Sequence, residues 1–349
     1  MVQLCENSDC SNPGKSRCWR CKERYYCGTE CQHADWSAHK DNCKPSNRLV
    51  AVVDIPGKGK GVIARERIPR GTLLVAEKPR IILPATSKEK LLKSMSLLSE
   101  EDKAFILTFP GKDSDLEDRL KHFVPCVGDG NTCLCPTICR INHTCCSPMS
   151  GPNTSYTWNE DSKEEELYAI KEIQKGEEVQ VTYMSNASNY DGDPPAYLRR
   201  KYNFDCRCPG CTRSPEDRQV SGERIEAYND FVDILPGRFK TDDPFRILVE
   251  IEQQILIICE EGFTGEIDGR AYDAFQLCTA YEDAASAKEW MKLHLKCRAL
   301  YHGKSTEQYK KSVCYTKNPQ MHGGWGYLDA GSLKLRGPSK KVLECFYSS

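Results

Sequence analysis

Tyr202-Asn-Phe204-Asp-Cys206-Arg-Cys208-Pro-Gly-Cys211 is chemically incomplete. Its three closely spaced cysteines can wrap a Zn²⁺, but a closed structural site takes four ligands in a tetrahedron. The missing thiolate has to come from elsewhere, and the best donor is Cys145, in Arg140-Ile141-Asn142-His143-Thr144-Cys145. A zinc shared in this way clamps two distant segments and is expected to set Asn142 and His143 close to Tyr202 and Phe204. Between the two segments, Gly176-Glu-Glu-Val-Gln-Val-Thr-Tyr183 alternates like a strand and ends on a tyrosine.

In these residues the chain resembles the SET-domain protein lysine methyltransferases, and in particular the branch that carries a MYND zinc finger. Asn142-His143-Thr144-Cys145 is similar to that family's Asn-His-Ser-Cys motif. Tyr183 closes a strand similar to its Gly-Glu-Glu-(apolar)-x-x-x-Tyr element, and Tyr202 to Cys211 resembles its post-SET zinc loop. The resemblance covers residues 5–80 and 138–211 well and 219–301 loosely. It implies an α+β fold: a β-rich SET domain with a small N-terminal MYND finger and a C-terminal α-helical, tetratricopeptide-like region. The finger precedes the SET start, the order of the fungal type, whereas in the best-known animal members it lies inside that domain.

Composition narrows the function classes. The 349 residues leave room for two or three domains. A formal net charge of -1 argues against wholesale nucleic-acid binding. The longest apolar run, Ile255-Leu-Ile-Ile-Cys259, is too short to span a bilayer. Met-Val-Gln-Leu-Cys-Glu lacks the basic and apolar regions of a signal peptide. Twenty-one cysteines in that setting point to a reducing compartment and to metal ligation more than to a disulfide framework. Cytoplasm, nucleus or both are the expected locations, and a monomer is the expected state.

Residues 1–46 hold Cys5-x4-Cys10, Cys18-x2-Cys21, Cys27-x3-Cys31 and His39-x3-Cys43, which makes two sets of four ligands. A segment this short cannot bury enough apolar surface to fold unaided, so metal binding supplies the folding free energy, roughly 10–16 kcal/mol per structural zinc. The resemblance to a MYND finger implies interleaved sets. One zinc takes Cys5, Cys10, Cys27 and Cys31, and the other takes Cys18, Cys21, His39 and Cys43. His33 is poorly spaced for the second set. Tyr25, Tyr26 and Trp36 lie among the ligands, either as the finger's miniature core or as the exposed contacts of a proline-containing peptide partner.

The SET and post-SET domain is expected over 47–212, with a helical insert near 86–120. In Ile55-Pro-Gly57-Lys-Gly59-Lys60-Gly61-Val62 the glycines alone make a hairpin turn. By the resemblance, Gly59, Lys60 and Gly61 contact S-adenosylmethionine, mainly through backbone. Residues 86–109 read as helix, with a cap-like Ser99-Glu-Glu. The run Cys126…Cys133-Leu-Cys135…Cys139 reads poorly as a further metal site because its spacing is irregular, and Asn131 is the one candidate for the asparagine that holds the cofactor's amino-acid end in related enzymes. After Cys145, residues Cys146 to Gly151 look like an insertion before Pro152-Asn153, and Cys146 is an alternative ligand to Cys145.

The resemblance implies S-adenosylmethionine and three zinc ions as cofactors, and methyl transfer to a lysine of a histone or non-histone protein. Tyr183 and Tyr202 are the expected catalytic residues. Cofactor contacts are expected from Gly59, Lys60, Gly61, Asn142, His143, Tyr202 and Phe204. The zinc ligands are the eight of the finger together with Cys145, Cys206, Cys208 and Cys211. The alternative is a non-catalytic adaptor whose finger recruits partners while its SET part is degenerate.

Residues 213–310 are expected to be helical. Arg224 to Ile234 and Phe245 to Glu260 are amphipathic, with a break at Pro236-Gly237. Ala271 to Tyr281 and Asp283 to Tyr301 look like a helical hairpin of tetratricopeptide type. Residues 311–349 form a tail without a recognisable pattern, and Gly323-Gly-Trp-Gly reads as coil.

Overall fold

Ligand spacing and strand alternation shape the first half of the chain, and capped amphipathic helices shape the second. The computed structural model describes residues 4–18, 21, 24–40, 43, 49–84, 87–109, 111, 115–119, 124–126, 131–148, 150–184, 194–328 and 331–348. The polar residues 185–193 that follow the Tyr183 strand in sequence lie outside them. The chain divides into two compact units, Met1–Asn142 with Tyr156–Val179, and His143–Ser155 with Gln180–Ser349.

The first unit opens with the finger: a minimal hairpin, β1 (Ser16–Arg17) and β2 (Tyr25–Tyr26), then α1 (Thr29–His39). Next come β3 (Val50–Ile55), β4 (Gly59–Ala64), β5 (Leu73–Glu77) and β6 (Ile81–Pro84). The β3–β4 hairpin turns through Gly57 at φ 74° and Gly59 at φ 76°, a region closed to most side chains.

The expected helix over 86–109 is two helices, α2 (Lys88–Ser96) and α3 (Glu100–Ile106). The cap-like serine explains the break. Ser99 takes extended backbone and its hydroxyl accepts from the Asp102 amide at 3.1 Å, so it starts a new helix rather than continuing the old one. A short α4 (Leu116–Arg119) follows, then β7 (Val124–Cys126), β8 (Asn131–Leu134) and β9 (Asn142–His143). β6, β8 and β7 form one antiparallel sheet.

β10 (Thr154–Asn159) and β11 (Glu164–Ala169) join β5 in the order β10-β11-β5, and β12 (Glu178–Val181) joins β4. β11 is the middle strand, so Leu167 and Ala169 are buried, and Glu165 and Glu166 are buried with them on opposite faces. The boundary between the units passes along two strands, between Asn142 and His143 in β9 and between Val179 and Gln180 in β12.

The second unit is mostly helical: α5 (Pro194–Tyr202), α6 (Pro215–Arg238), α7 (Pro244–Glu260), α8 (Ile267–Ala280), α9 (Ala284–Tyr301), α10 (Glu307–Lys317) and α11 (Lys340–Ser348). Ser214, Asp243, Asp283 and Thr306 cap α6, α7, α9 and α10 through side-chain oxygens. α8 and α9 form the expected hairpin around buried Ala274, Leu277, Ala287, Trp290 and Met291.

Two expectations are corrected here. α6 runs through Pro236-Gly237 instead of breaking there. Pro236 lies in the last turn, where its missing N–H removes a single helical bond and its neighbours are already near the end. The tail is also ordered. Arg336 makes a bidentate pair with Glu252 of α7 at 2.8 and 2.9 Å, the Leu335 amide donates to Asp283 at 2.7 Å, and Cys345 of α11 forms a disulfide with Cys259 of α7. One cysteine pair is thus a crosslink rather than a ligand set.

Candidate active site and zinc centres

In the finger, Cys5, Cys10, Cys27 and Cys31 bring their sulfurs within 4.8 Å of one another, and so do the ligand atoms of Cys18, Cys21, His39 and Cys43. The separations Cys10–Cys27 at 3.6 Å, Cys27–Cys31 at 3.4 Å and Cys18–Cys43 at 3.7 Å match the edge of a zinc tetrahedron, about 3.8 Å for Zn–S bonds of about 2.3 Å. The two sets interleave along the chain. His33 is exposed while His39 is buried. Tyr26 is wholly buried and donates to Asp35 at 2.6 Å, so it belongs to the finger's core, whereas Trp36 packs at its margin, edge-on to His39. Asp35 is held below the usual carboxylate range: burial opposes this, but the Tyr26 hydroxyl and Arg24 outweigh it.

The third set lies in the second unit. Cys145, Cys206, Cys208 and Cys211 converge within 4.8 Å, with Cys145 and Cys211 at 3.4 Å. Cys146 is not in this set. Four thiols in contact cannot all ionise without a cation. The Cys145 thiol draws Cys208 down to about 5, and the same contacts, led by Cys206, push Cys145 up. An all-sulfur donor set with four closed positions fits a structural zinc and leaves no place for a catalytic water.

His143 links this centre to the strand. Its Nδ1 accepts from the Tyr183 amide at 2.9 Å, which leaves Nε2–H to face the Cys145 sulfur at 3.1 Å. Both ring nitrogens are engaged, so any contact of His143 with a ligand falls to its backbone. The Tyr183 ring lies 5.1 Å from that of His143, 4.8 Å from that of Tyr202 and 6.4 Å from that of Phe204. Burial raises the Tyr202 phenol above its ordinary range, so it is a neutral hydroxyl. Lys201 places its ammonium 5.4 Å from the Tyr202 ring centre and donates to the Tyr197 hydroxyl at 3.0 Å.

The segment after Cys145, expected to be an insertion, closes on itself. Ser147 and Ser150 exchange backbone bonds at 2.9 and 3.3 Å, making a tight turn. Two glycines receive it. A Cβ on Gly210 would meet the Ser147 side chain at 2.8 Å, and one on Gly262, at φ 79°, would meet the Ser147 carbonyl at 2.7 Å. Beyond this turn, Asn153 reaches β12, where its Oδ1 accepts from the Gln180 amide at 2.8 Å.

The remaining predicted residues lie in the first unit. The Lys60 side chain pairs with Asp54 at 2.8 Å on the exposed side of the hairpin. Asn142 donates from Nδ2 to the Lys60 carbonyl at 3.3 Å and to Glu178 Oε1 at 2.9 Å. Gly61 has no room for a side chain, because a Cβ would stand 2.7 Å from that same Nδ2. Asn131 sits on β8 opposite Pro84 and Cys126. Cys133, Cys135 and Cys139 are buried and bonded among themselves, and they do not form a metal group among the described residues.

Sequence reasoning missed the Ser147–Ser150 turn, the Glu178 bond to Asn142 and Glu165. Glu165 is wholly buried and neither carboxylate oxygen has a hydrogen-bond partner among the described residues. None of the three left a signal, since Glu178 falls in the polar register of its strand, with Gln180 and Thr182.

Two family models match the chain, the MYND finger over residues 5–43 and the SET domain over residues 59–184. The chain is similar to the histone-lysine N-methyltransferase set5 of Schizosaccharomyces pombe, 29% identical over 279 residues that cover 78% of this chain and 85% of that one. It is also similar to the N-lysine methyltransferase SMYD2 of Homo sapiens and of Bos taurus, 29% identical over 240 residues, which is 61% of this chain and 52% of each of those. It thus spans about half the length of the SMYD2 proteins. Among the described residues, no helix is long and apolar enough to cross a membrane.

Proposed function

The chain is a SET- and MYND-domain protein, and from that premise we propose that it is an S-adenosylmethionine-dependent protein-lysine N-methyltransferase. The observation that supports this most is the aromatic cluster of Tyr183, Tyr202, Phe204 and His143 built onto the four-thiol centre. A purely structural zinc site needs the thiols but has no use for two tyrosines in contact beside them.

S-adenosylmethionine supplies the methyl group from a sulfonium, and the chain has to do the rest. Holding the acceptor nitrogen in line is worth up to about 7–11 kcal/mol. The acceptor lysine must also be neutral, although a free amine has a pKa near ~10.4. Tyr183 and Tyr202 wall an apolar passage that desolvates the ammonium and so favours its loss of a proton. Their hydroxyls orient the amine. Phe204 packs on the cofactor's adenine, the backbone of Gly59, Lys60, Gly61 and His143 lines the cofactor, and the Asn142 side chain binds one of its amino groups. The zinc is a clamp that holds His143 through Cys145. The finger takes a protein partner of proline-containing type.

Calorimetry on zinc-loaded protein tests the reading. Micromolar affinity for S-adenosylmethionine is expected, lost in Asn142→Ala and in Tyr202→Ala. A well-folded protein that binds none would instead be a zinc-finger adaptor.

A further inference from the structure

We infer that Glu178, with Gly61, is the positioning pair that fixes which end of the Asn142 amide is offered to a ligand. A carboxamide can present either its oxygen or its nitrogen, and the choice depends on its neighbours. Here both protons of Nδ2 face acceptors, Glu178 Oε1 at 2.9 Å and the Lys60 carbonyl at 3.3 Å. Turning the amide over would set its oxygen against a carboxylate and a carbonyl. Oδ1, for which no bond is formed among the described residues, is therefore the end left for a ligand, and it can only accept. An amino or ammonium group is the complement of that atom.

Glu178 is itself held. Lys58 donates to its other oxygen at 2.6 Å, and β12 pairs it with Ile63 of β4. Its side chain is 19% exposed, so its bond to Asn142 is charge-assisted and only partly shared with water. Gly61 leaves the space that Nδ2 occupies, since a Cβ there would stand 2.7 Å from that nitrogen and 2.5 Å from Ile55 Cγ1. A glycine in a β-strand is unfavourable locally. An asparagine amide that must be held in a single orientation accounts for it.

This inference rests on the cofactor role proposed for Asn142, and two readouts keep the two claims apart. The first is S-adenosylmethionine affinity and steady-state kinetics of the zinc-loaded full chain. Glu178→Ala should weaken binding about tenfold, as loss of a charged hydrogen bond implies, raising KM with kcat little changed. Glu178→Gln, whose carbonyl can still accept from Nδ2, should stay within about threefold of the parent. No loss of affinity in Glu178→Ala would overturn the inference, and so would a loss in Glu178→Gln as large as that in Glu178→Ala.

The second readout is the Asn142 side-chain amide signal in ¹H–¹⁵N spectra of the ligand-free protein. Slow proton exchange at Nδ2 is expected, lost in Glu178→Ala and in Gly61→Ala. An amide signal unchanged by both substitutions would overturn the positioning role whether or not the cofactor binds. A parent protein that binds no cofactor but shows the protected amide would refute the proposed function and leave the positioning pair standing.

Discussion

Glu165→Gln should stabilise the SET sheet at neutral pH and do nothing at pH 4. Glu165 lies on the central strand β11, opposite Glu77 of β5, and is 0% exposed. Burial, followed by the charge of Glu166, pushes its carboxyl up from 4.5 to about 8. Glu166 is cared for, accepting from Asn159 at 2.9 Å and from Tyr168 at 2.6 Å. Glu77, opposite on β5, and the Cys135 thiol bring Glu165 no positive charge. Between pH 4.5 and 8 the native state keeps a proton that the unfolded chain has released, so stability falls as pH rises through that window. The loss is about 1.4 kcal/mol per pH unit, about 3 kcal/mol by pH 7. Glutamine has the same shape and no charge to lose, so the difference between variant and parent should open from near zero at pH 4 to about that size. Hydrogen exchange of the β5–β11–β10 amides, followed by mass spectrometry at several pH values, reads it locally. Taking the difference cancels acid effects on the zinc ligands, which both proteins share. A variant–parent difference that stays flat from pH 4 to 8 would refute the reasoning.

Gly262→Ala should lower stability by about 2 kcal/mol, because a left-handed backbone and a backbone clash with Ser147 coincide there. Gly237→Ala, with nothing within 4 Å of its Cβ, should be neutral or slightly stabilising in thermal unfolding. Reducing the disulfide, or replacing Cys259 by serine, should strip exchange protection from α11 while the Arg336–Glu252 anchor keeps the preceding segment in place, since a helix of 9 residues does not hold by itself. Tyr183→Phe should reduce turnover at least about tenfold, the size of one lost orienting hydrogen bond, with S-adenosylmethionine affinity nearly unchanged in calorimetry.

The metal centres were legible because ligand spacing is a covalent fact. Cys27-x3-Cys31 and Cys206-Arg-Cys208-Pro-Gly-Cys211 declare themselves without knowledge of their surroundings, and an incomplete set obliges a search for a fourth thiolate. The cap at Ser99 was legible for the same reason: it acts on the Asp102 amide three residues away. What stayed hidden depends on partners far along the chain. The turn at Ser147 closes because Gly210 and Gly262 leave room for it, and nothing near Cys146 says so. Glu164-Glu-Glu reads as a solvated strand start, yet β11 ends up between two neighbours with both faces covered. In the tail, Val342 and Phe346 keep a helical spacing in α11, but the partners that hold the tail, Glu252, Asp283 and Cys259, lie far back along the chain.

Transfer of labelled methyl from S-adenosylmethionine to protein in a cell extract, with the labelled amino acid recovered after hydrolysis, tests the central claim most directly. The account predicts N-methyl-lysine from the zinc-loaded chain and none from Tyr202→Ala. Label recovered on another amino acid, or no label from a chain holding all three zinc ions, would contradict it.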